Sequence, residues 1–285
     1  MHVTVNGARL YVDIEGAGLV PDGPAMREKP TLILLHGGPG ADHSLYKPGF
    51  SALADVAQIV YYDHRGNGRS TGDAPADWTL AQWADDLKGL CDTLGIVKPV
   101  VLGVSFGGFV AQAYATRYPD YPGKLILAST AAHMDFETVY AAFGSIGGPE
   151  AEAAARAYWD TPSPETRARY REICVPLYTF ADRGKTPDWL SRTIIRDAVA
   201  IHFNGPKNEH GIMDFRADLA RIACPVLLMA GVDDPITPLP FAEEIARHLP
   251  SDKLRFERFA ACGHGIFPDH PDRAYAMVRD MLENP

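Results

Sequence analysis

The stretch VLGVSFGGFV, residues 101–110, constrains this chain more than any other. An apolar run is broken by one serine that has a glycine two residues before it and another two residues after. A hydroxyl without a partner in a packed interior costs free energy. One reading is a strand end followed by a helix cap. The other is a nucleophile at a sharp strand-to-helix turn, with Gly103, Ser105 and Gly107 spelling G-x-S-x-G. The turn strains the serine backbone, and small residues on both sides let strand and helix approach. The helix that starts here points its first N–H groups at the reaction centre, where they favour developing negative charge.

The surrounding order of elements suits the second reading. MHVTVNGARLYVDIEG (1–16) alternates like a strand pair about the turn signal Asn6-Gly7. TLILLH (31–36), AQIVYYD (57–63), PVVLGV (99–104), KLILAS (124–129), CPVLLMAG (224–231) and KLRFERF (253–259) read as strands. Between and after them LAQWADDLKGLCDTL (80–94), FGGFVAQAYATRYPD (106–120), FAEEIARHL (241–249) and DRAYAMVRDML (272–282) read as helices. In the first of these, Leu80, Trp83, Ala84, Leu87, Leu90, Cys91 and Leu94 share a face, while Thr79, Asp85 and Asp86 suit its early turns. Continuous apolar strands alternating with helices predict an α/β fold, a mostly parallel sheet covered on both faces. Residues 133–214 break the rhythm with Ala-, Tyr- and Arg-rich helical stretches divided by GGPE, TPSPE, GKTPD and NGPKNE. The expected organisation is a core of residues 1–132 and 215–285 with an all-helical cap, 133–214, inserted between two strands.

Bulk properties narrow the function classes. At 285 residues the chain can bury a sizeable core. A net charge of −9 argues against a nucleic-acid surface and against docking onto anionic membranes. No apolar run has the length of a membrane span, and the start lacks a signal peptide's basic and apolar regions. Cys91, Cys174, Cys224 and Cys262 show neither zinc spacing nor a disulfide framework. A cytoplasmic protein is the expectation.

Serine needs a base to take its proton, and the base needs a carboxylate to orient it. After a strand-turn-helix serine the chain order is serine, acid, histidine. His264 in ACGHGIF follows the last strand at its carboxyl end and is the expected base. GVDDPITP follows the strand at 224–231 and offers Asp234, with Asp233 as the alternative, otherwise a solvated loop acid. The oxyanion formed on attack needs preorganised donors: the backbone N–H of Phe106, and one from the glycine loop HGGPG (36–40), for which Gly38 is preferred. No metal or organic cofactor is required. A metal hydrolase using His264, Asp269 and His270 lacks suitable ligand spacing.

HGGPG, DHRGNGRS (63–70), GVSFGG, GVDDPITP and CGHG together resemble the α/β-hydrolase superfamily, and within it the proline iminopeptidase-like serine peptidases, over nearly the whole chain. The resemblance implies that Asp63, Arg65 and Gly66 brace a loop beside the site. It also implies a carboxylate that binds a substrate's free amine. NGPKNE (204–209) is similar to the family's N-G-P-N-E stretch with one residue inserted, which makes Glu209 the candidate, although a glutamate in a polar loop is equally a solvated one. Two departures weigh against a peptidase. Pro235 stands where a second acid often follows the catalytic aspartate, and RAYWDTPSPE matches the family's aromatic cap segment only loosely.

The expectation is therefore a serine hydrolase working through an acyl-enzyme on a small-molecule or short-peptide substrate. Release of an N-terminal residue, proline first, is the leading activity; an ester, lactone or acyl-amide hydrolase is the alternative. A non-catalytic receptor on the same fold is the reading from another class. Tyr158, Trp159, Tyr178 and Phe203 are candidates to line a pocket under the cap, against the commoner role of aromatic helix packing.

Overall fold

The computed structural model describes residues 1–181 and 188–284. The chain opens with the antiparallel pair β1 (His2–Val5) and β2 (Ala8–Glu15), joined by Asn6 at φ 47° and Gly7 at φ 78°. Two consecutive left-handed residues are what a two-residue hairpin demands, and asparagine and glycine tolerate that conformation. A second hairpin, β3 (Leu19–Asp22) with β4 (Ala25–Glu28), is almost wholly exposed. It buries no alternate face, so nothing in its hydrophobic pattern announces it.

The core elements then follow in order: β5 (Thr31–Leu35), β6 (Gln58–Tyr62), α1 (Leu80–Leu94), β7 (Val100–Val104), α2 (Phe106–Arg117) and β8 (Lys124–Ala128). The insertion contributes α3 (Phe136–Asp160), α4 (Pro164–Ile173), α5 (Asp188–Arg192), α6 (Asp197–Phe203) and α7 (Glu209–Ile212). The chain returns to the sheet with β9 (Val226–Gly231), α8 (Leu239–His248), β10 (Leu254–Phe259), α9 (Ile266–Asp269) and α10 (Pro271–Glu283).

Eight strands pair in the order β1-β2-β6-β5-β7-β8-β9-β10, antiparallel at the β1-β2-β6 edge and parallel from β6 to β10. Neighbouring side chains of one strand serve opposite cores, as the pleat requires. Ile33 and Leu35 pack with Trp83 and Phe106, whereas Leu32 and Leu34 pack with Phe50 and Met277.

Helix α1 is capped by Thr79, whose side chain accepts from Gln82 N, and ends at Gly95 with φ 67°. Its buried face is the one the periodicity predicts, with one addition. Asp86 is buried too, because Arg65 grips its carboxylate through Nε at 2.7 Å and Nη2 at 2.8 Å. An ion pair satisfies what burial would otherwise penalise.

Between β8 and β9 the described residues form helices and no strand beyond one backbone bridge, His133 with Asp214. That bridge, with Phe215 N donating to Ala132 O at 2.9 Å, closes the neck of the insertion. GGPE proves to be a kink inside α3, with Gly148 at φ 76° and Pro149 starting the second half. TPSPE becomes the capping box of α4, Ser163 with Thr166, ahead of Pro164 at the first helical position. GKTPD lies outside the described residues except for Asp188. All four cysteines are free and buried, and no helix among the described residues is long and apolar enough to cross a membrane.

Candidate active site

Ser105 joins β7 to α2 at φ 56°, ψ −121°. A non-glycine residue held there costs roughly 1–3 kcal/mol and persists only where its surroundings fix it. The surroundings do. Ser105 N donates to Ala128 O at 3.0 Å, and Ser105 O accepts from Gly108 N at 2.8 Å and from Thr130 Oγ1 at 3.0 Å. A Cβ on Gly103 would sit 2.3 Å from Gly107 O, and one on Gly107 would sit 2.0 Å from Leu35 O. Any side chain at either position would push helix, turn and strand apart.

Phe106 is the first residue of α2, where a helix leaves its N–H groups without partners of its own. Its ring is locked against Trp83 at 4.9 Å and Phe203 at 5.0 Å. Opposite it runs the glycine loop after β5, with Gly38 exposed at φ 55°. Gly40, further along, is pinned from two sides: its N–H donates to Asn67 Oδ1 at 2.6 Å, and its carbonyl accepts from Arg196 N at 2.7 Å.

The DHRGNGRS segment supplies one side of that pinning, through Asn67. Asp63 Oδ1 accepts from His43 N at 3.0 Å and meets His43 Nδ1 at 2.6 Å, while Oδ2 accepts from Arg69 N at 2.8 Å. Arg65 turns to Asp86 on α1 instead of pairing with Asp63, so two separate clasps, His43 with Asp63 and Arg65 with Asp86, hold the loop.

His264 lies after β10, with its backbone N–H on Tyr178 O at 2.6 Å. Its Nδ1 meets Asp234 Oδ2 at 2.8 Å. Asp234 is buried; Oδ1 accepts from Ile236 N at 2.8 Å and Thr237 N at 2.9 Å, and Oδ2 from Thr237 Oγ1 at 2.7 Å. Burial alone would raise this carboxyl's pKa, but the facing His264 and the Thr237 donors outweigh it and hold the group below the ordinary carboxylate range. Asp233 points away, exposed, with its backbone on Cys262 O. The alternatives left open in the sequence are thereby separated: the imidazole meets Asp234.

Gly38, Ser105, Phe106 and His264 line one cavity of about 580 Å³. Tyr158, Trp159, Tyr178 and Phe203 from the insertion line it as well; the first three also pack on Tyr170, and Phe203 on Trp83 and Phe106. Among the described residues its wall holds no aspartate or glutamate, but it does hold Lys47, Arg167, Arg171 and Arg192.

Glu209 is not on that wall. Its Oε1 accepts from Leu80 N at 2.9 Å, so it caps the first turn of α1. Nor do His264, Asp269 and His270 converge. The Asp269 carboxylate accepts from the backbone of Gly263, Phe180 and Ala181, and His270 Nε2 faces Ala260 O at 3.0 Å.

Among the wall residues that the sequence reading did not single out are Arg167, Arg171, Asn204 and His210. Asn204 opens the NGPKNE stretch and His210 follows it, but the stretch drew attention to Glu209 instead. His210 is buried among Phe109, Phe136 and Phe203, with both ring nitrogens unpartnered, and burial pushes its pKa down to about 3.

The chain is similar to known proteins over most of its length. The family described as alpha/beta hydrolase fold matches residues 30–154. A proline iminopeptidase of Lactobacillus helveticus (strain DPC 4571) is 30% identical over 283 residues, 90% of this chain and 90% of its own. A protein of Caulobacter sp. (strain K31) named as the carbamate hydrolase RutD is 28% identical over 98% of this chain and 97% of its own. The crystal structure of VinJ superposes with a TM-score of 0.79 over 99% of this chain and 97% of that one, at 24% identity, a likeness of fold.

Proposed function

This chain belongs to the α/β-hydrolase family, and from that premise we propose that it is a serine hydrolase with Ser105 as nucleophile, His264 as base and Asp234 as the orienting acid. The observation that carries the reading is the 2.8 Å contact of His264 Nδ1 with a buried Asp234, behind a cavity wall that holds both His264 and Ser105 at its strained turn. A hydrogen bond at Nδ1 fixes the tautomer and leaves Nε2 for the serine proton.

Ser105 Oγ attacks the substrate carbonyl while His264 Nε2 takes the hydroxyl proton. The oxyanion is held by the N–H groups of Phe106 and Gly38. Collapse expels the leaving group, which receives the proton from His264, and leaves an acyl-enzyme. A water, deprotonated by the same imidazole, repeats the sequence and frees the acid. The insertion, 133–214, acts as a cap that shapes the cavity and excludes water.

The favoured substrates are esters or amides with a largely apolar acyl group. The cavity wall is built of aromatic and aliphatic side chains, and its charges among the described residues are all positive. Capture of a free amine needs a carboxylate there, and Glu209 is spent on Leu80 N. Release of an N-terminal residue stays as the second reading, supported by the 30% identity to the L. helveticus iminopeptidase over 90% of both chains.

A panel of p-nitrophenyl esters and aminoacyl arylamides tests the proposal. Ester turnover that disappears in Ser105→Ala and in His264→Ala is the expected result. Turnover that survives either substitution would overturn it.

A further inference from the structure

Besides the unpartnered nitrogens of His210, the cavity wall carries a hydroxyl whose hydrogen bonds do not balance among the described residues. Tyr158 is fully buried on the cavity wall, and its hydroxyl oxygen takes two donors, Arg167 Nη1 at 2.8 Å and Asn204 Nδ2 at 2.7 Å. A tyrosine hydroxyl has two lone pairs and one proton. Both lone pairs are engaged, so the proton needs a third partner, and the described residues supply none. Turning the Asn204 amide over moves the spare proton from Tyr158 to the amide and leaves the count unchanged. A buried donor left over in this way is costly unless a ligand accepts from it.

The electrostatics around it are also unbalanced. Arg167 Nε binds Asp197 Oδ1 at 2.6 Å, and Arg171 Nη1 reaches the same oxygen at only 3.9 Å. Among the described residues one carboxylate thus faces two guanidiniums, and both arginines line the cavity with Tyr158. A guanidinium donating into the Tyr158 oxygen also strengthens that hydroxyl as a donor.

Resting on the hydrolase reading above, we infer that Tyr158, Arg171 and Asn204, braced by Arg167, form a subsite for a carboxylate on the substrate, separate from the carbonyl that Ser105 attacks. The substrate class is then an ester or amide whose acyl part also ends in a carboxylate. Lys47 is not counted, since Asp13 and Glu15 neutralise it.

The test uses Ser105→Ala protein, so that binding is read without turnover. Monomethyl succinate, adipate and suberate are titrated by ligand-observed NMR against methyl butanoate, hexanoate and octanoate, which replace the far carboxylate with a methyl group, and against the three dimethyl diesters. One half-ester should bind at least about tenfold tighter than its alkyl ester and its diester, as a charge-assisted hydrogen bond implies. Adding Tyr158→Phe, or independently Arg171→Gln, should abolish that preference, with the thermal midpoint reporting folding. Equal affinities within every set, preference for the alkyl esters or diesters, or a preference untouched by both variants would overturn the subsite. Since binding is measured without Ser105, failure here is distinct from failure of the hydrolase reading, which shows instead as an absence of serine-dependent turnover.

Discussion

Asn67 ties the DHRGNGRS loop to the glycine loop: its Oδ1 accepts from Gly40 N at 2.6 Å, and its Nδ2 donates to Arg65 O at 2.7 Å. The side chain is buried and touches neither Ser105 nor the wall of the cavity. It acts on the proposed oxyanion donor at Gly38 through the backbone. Asn67→Ala should lower kcat by roughly tenfold with KM little changed, because the lost contact positions a donor needed most in the transition state. Steady-state kinetics on one p-nitrophenyl ester decides this. A change in KM alone would mean that Asn67 shapes substrate binding instead.

Asp234→Asn should keep the fold, since an amide oxygen can still accept from Thr237 and Ile236. It should cut kcat by roughly a thousand- to ten-thousandfold, because the tautomer of His264 is no longer enforced. Asp233→Asn is the matched control and should leave the rate within about twofold, as exposed loop changes usually do. The reverse pattern would exchange the two residues' roles.

The acid side of stability should be governed by buried histidines. His210 has its pKa depressed to about 3 by burial, and His36 and His64 are shifted in the same direction by the same cause. Below the ordinary value of about 6.5 the unfolded chain binds a proton that folded His210 refuses. Stability from this group is therefore complete above about pH 6.5 and drains away as pH falls toward 3, by about 2 kcal/mol at pH 5. His210→Phe removes that drain. At pH 7 it should be close to neutral, because neither ring nitrogen has a partner to lose. Urea unfolding at pH 7 and pH 5 measures both claims. An equal acid loss in wild type and variant would refute them.

The central strands β5 to β9 were legible because they carry unbroken apolar runs, and α1 because of its period: it begins and ends at the residues the pattern marks. Ser105, His264 and the glycine loop were legible for a related reason. Each sits where a strand ends, and tight turns demand particular residue types. Of the subsite, Tyr158 was legible only as a candidate pocket aromatic, and the roles of Arg167, Arg171 and Asn204 were not. Tyr158 and Arg167 stand on different helices, and only the fold of the insertion brings the guanidinium onto the hydroxyl. Glu209 shows the converse: a sequence stretch fitting an amine site, turned by its fold into a cap for α1.

Glu209→Gln follows from that placement. An amide oxygen can still accept from Leu80 N, so ester and aminoacyl-arylamide turnover should both stay within about twofold of wild type. Loss of arylamide cleavage with ester cleavage intact would restore the amine-binding role.

The most direct test of the account is covalent. Folded protein treated with an alkyl fluorophosphonate should gain the mass of one phosphonyl group, mapped by peptide mass spectrometry to Ser105 and missing in Ser105→Ala. Absence of any adduct on folded protein, or an adduct on another residue while Ser105→Ala still hydrolyses esters, would contradict the serine at the β7–α2 turn as the nucleophile.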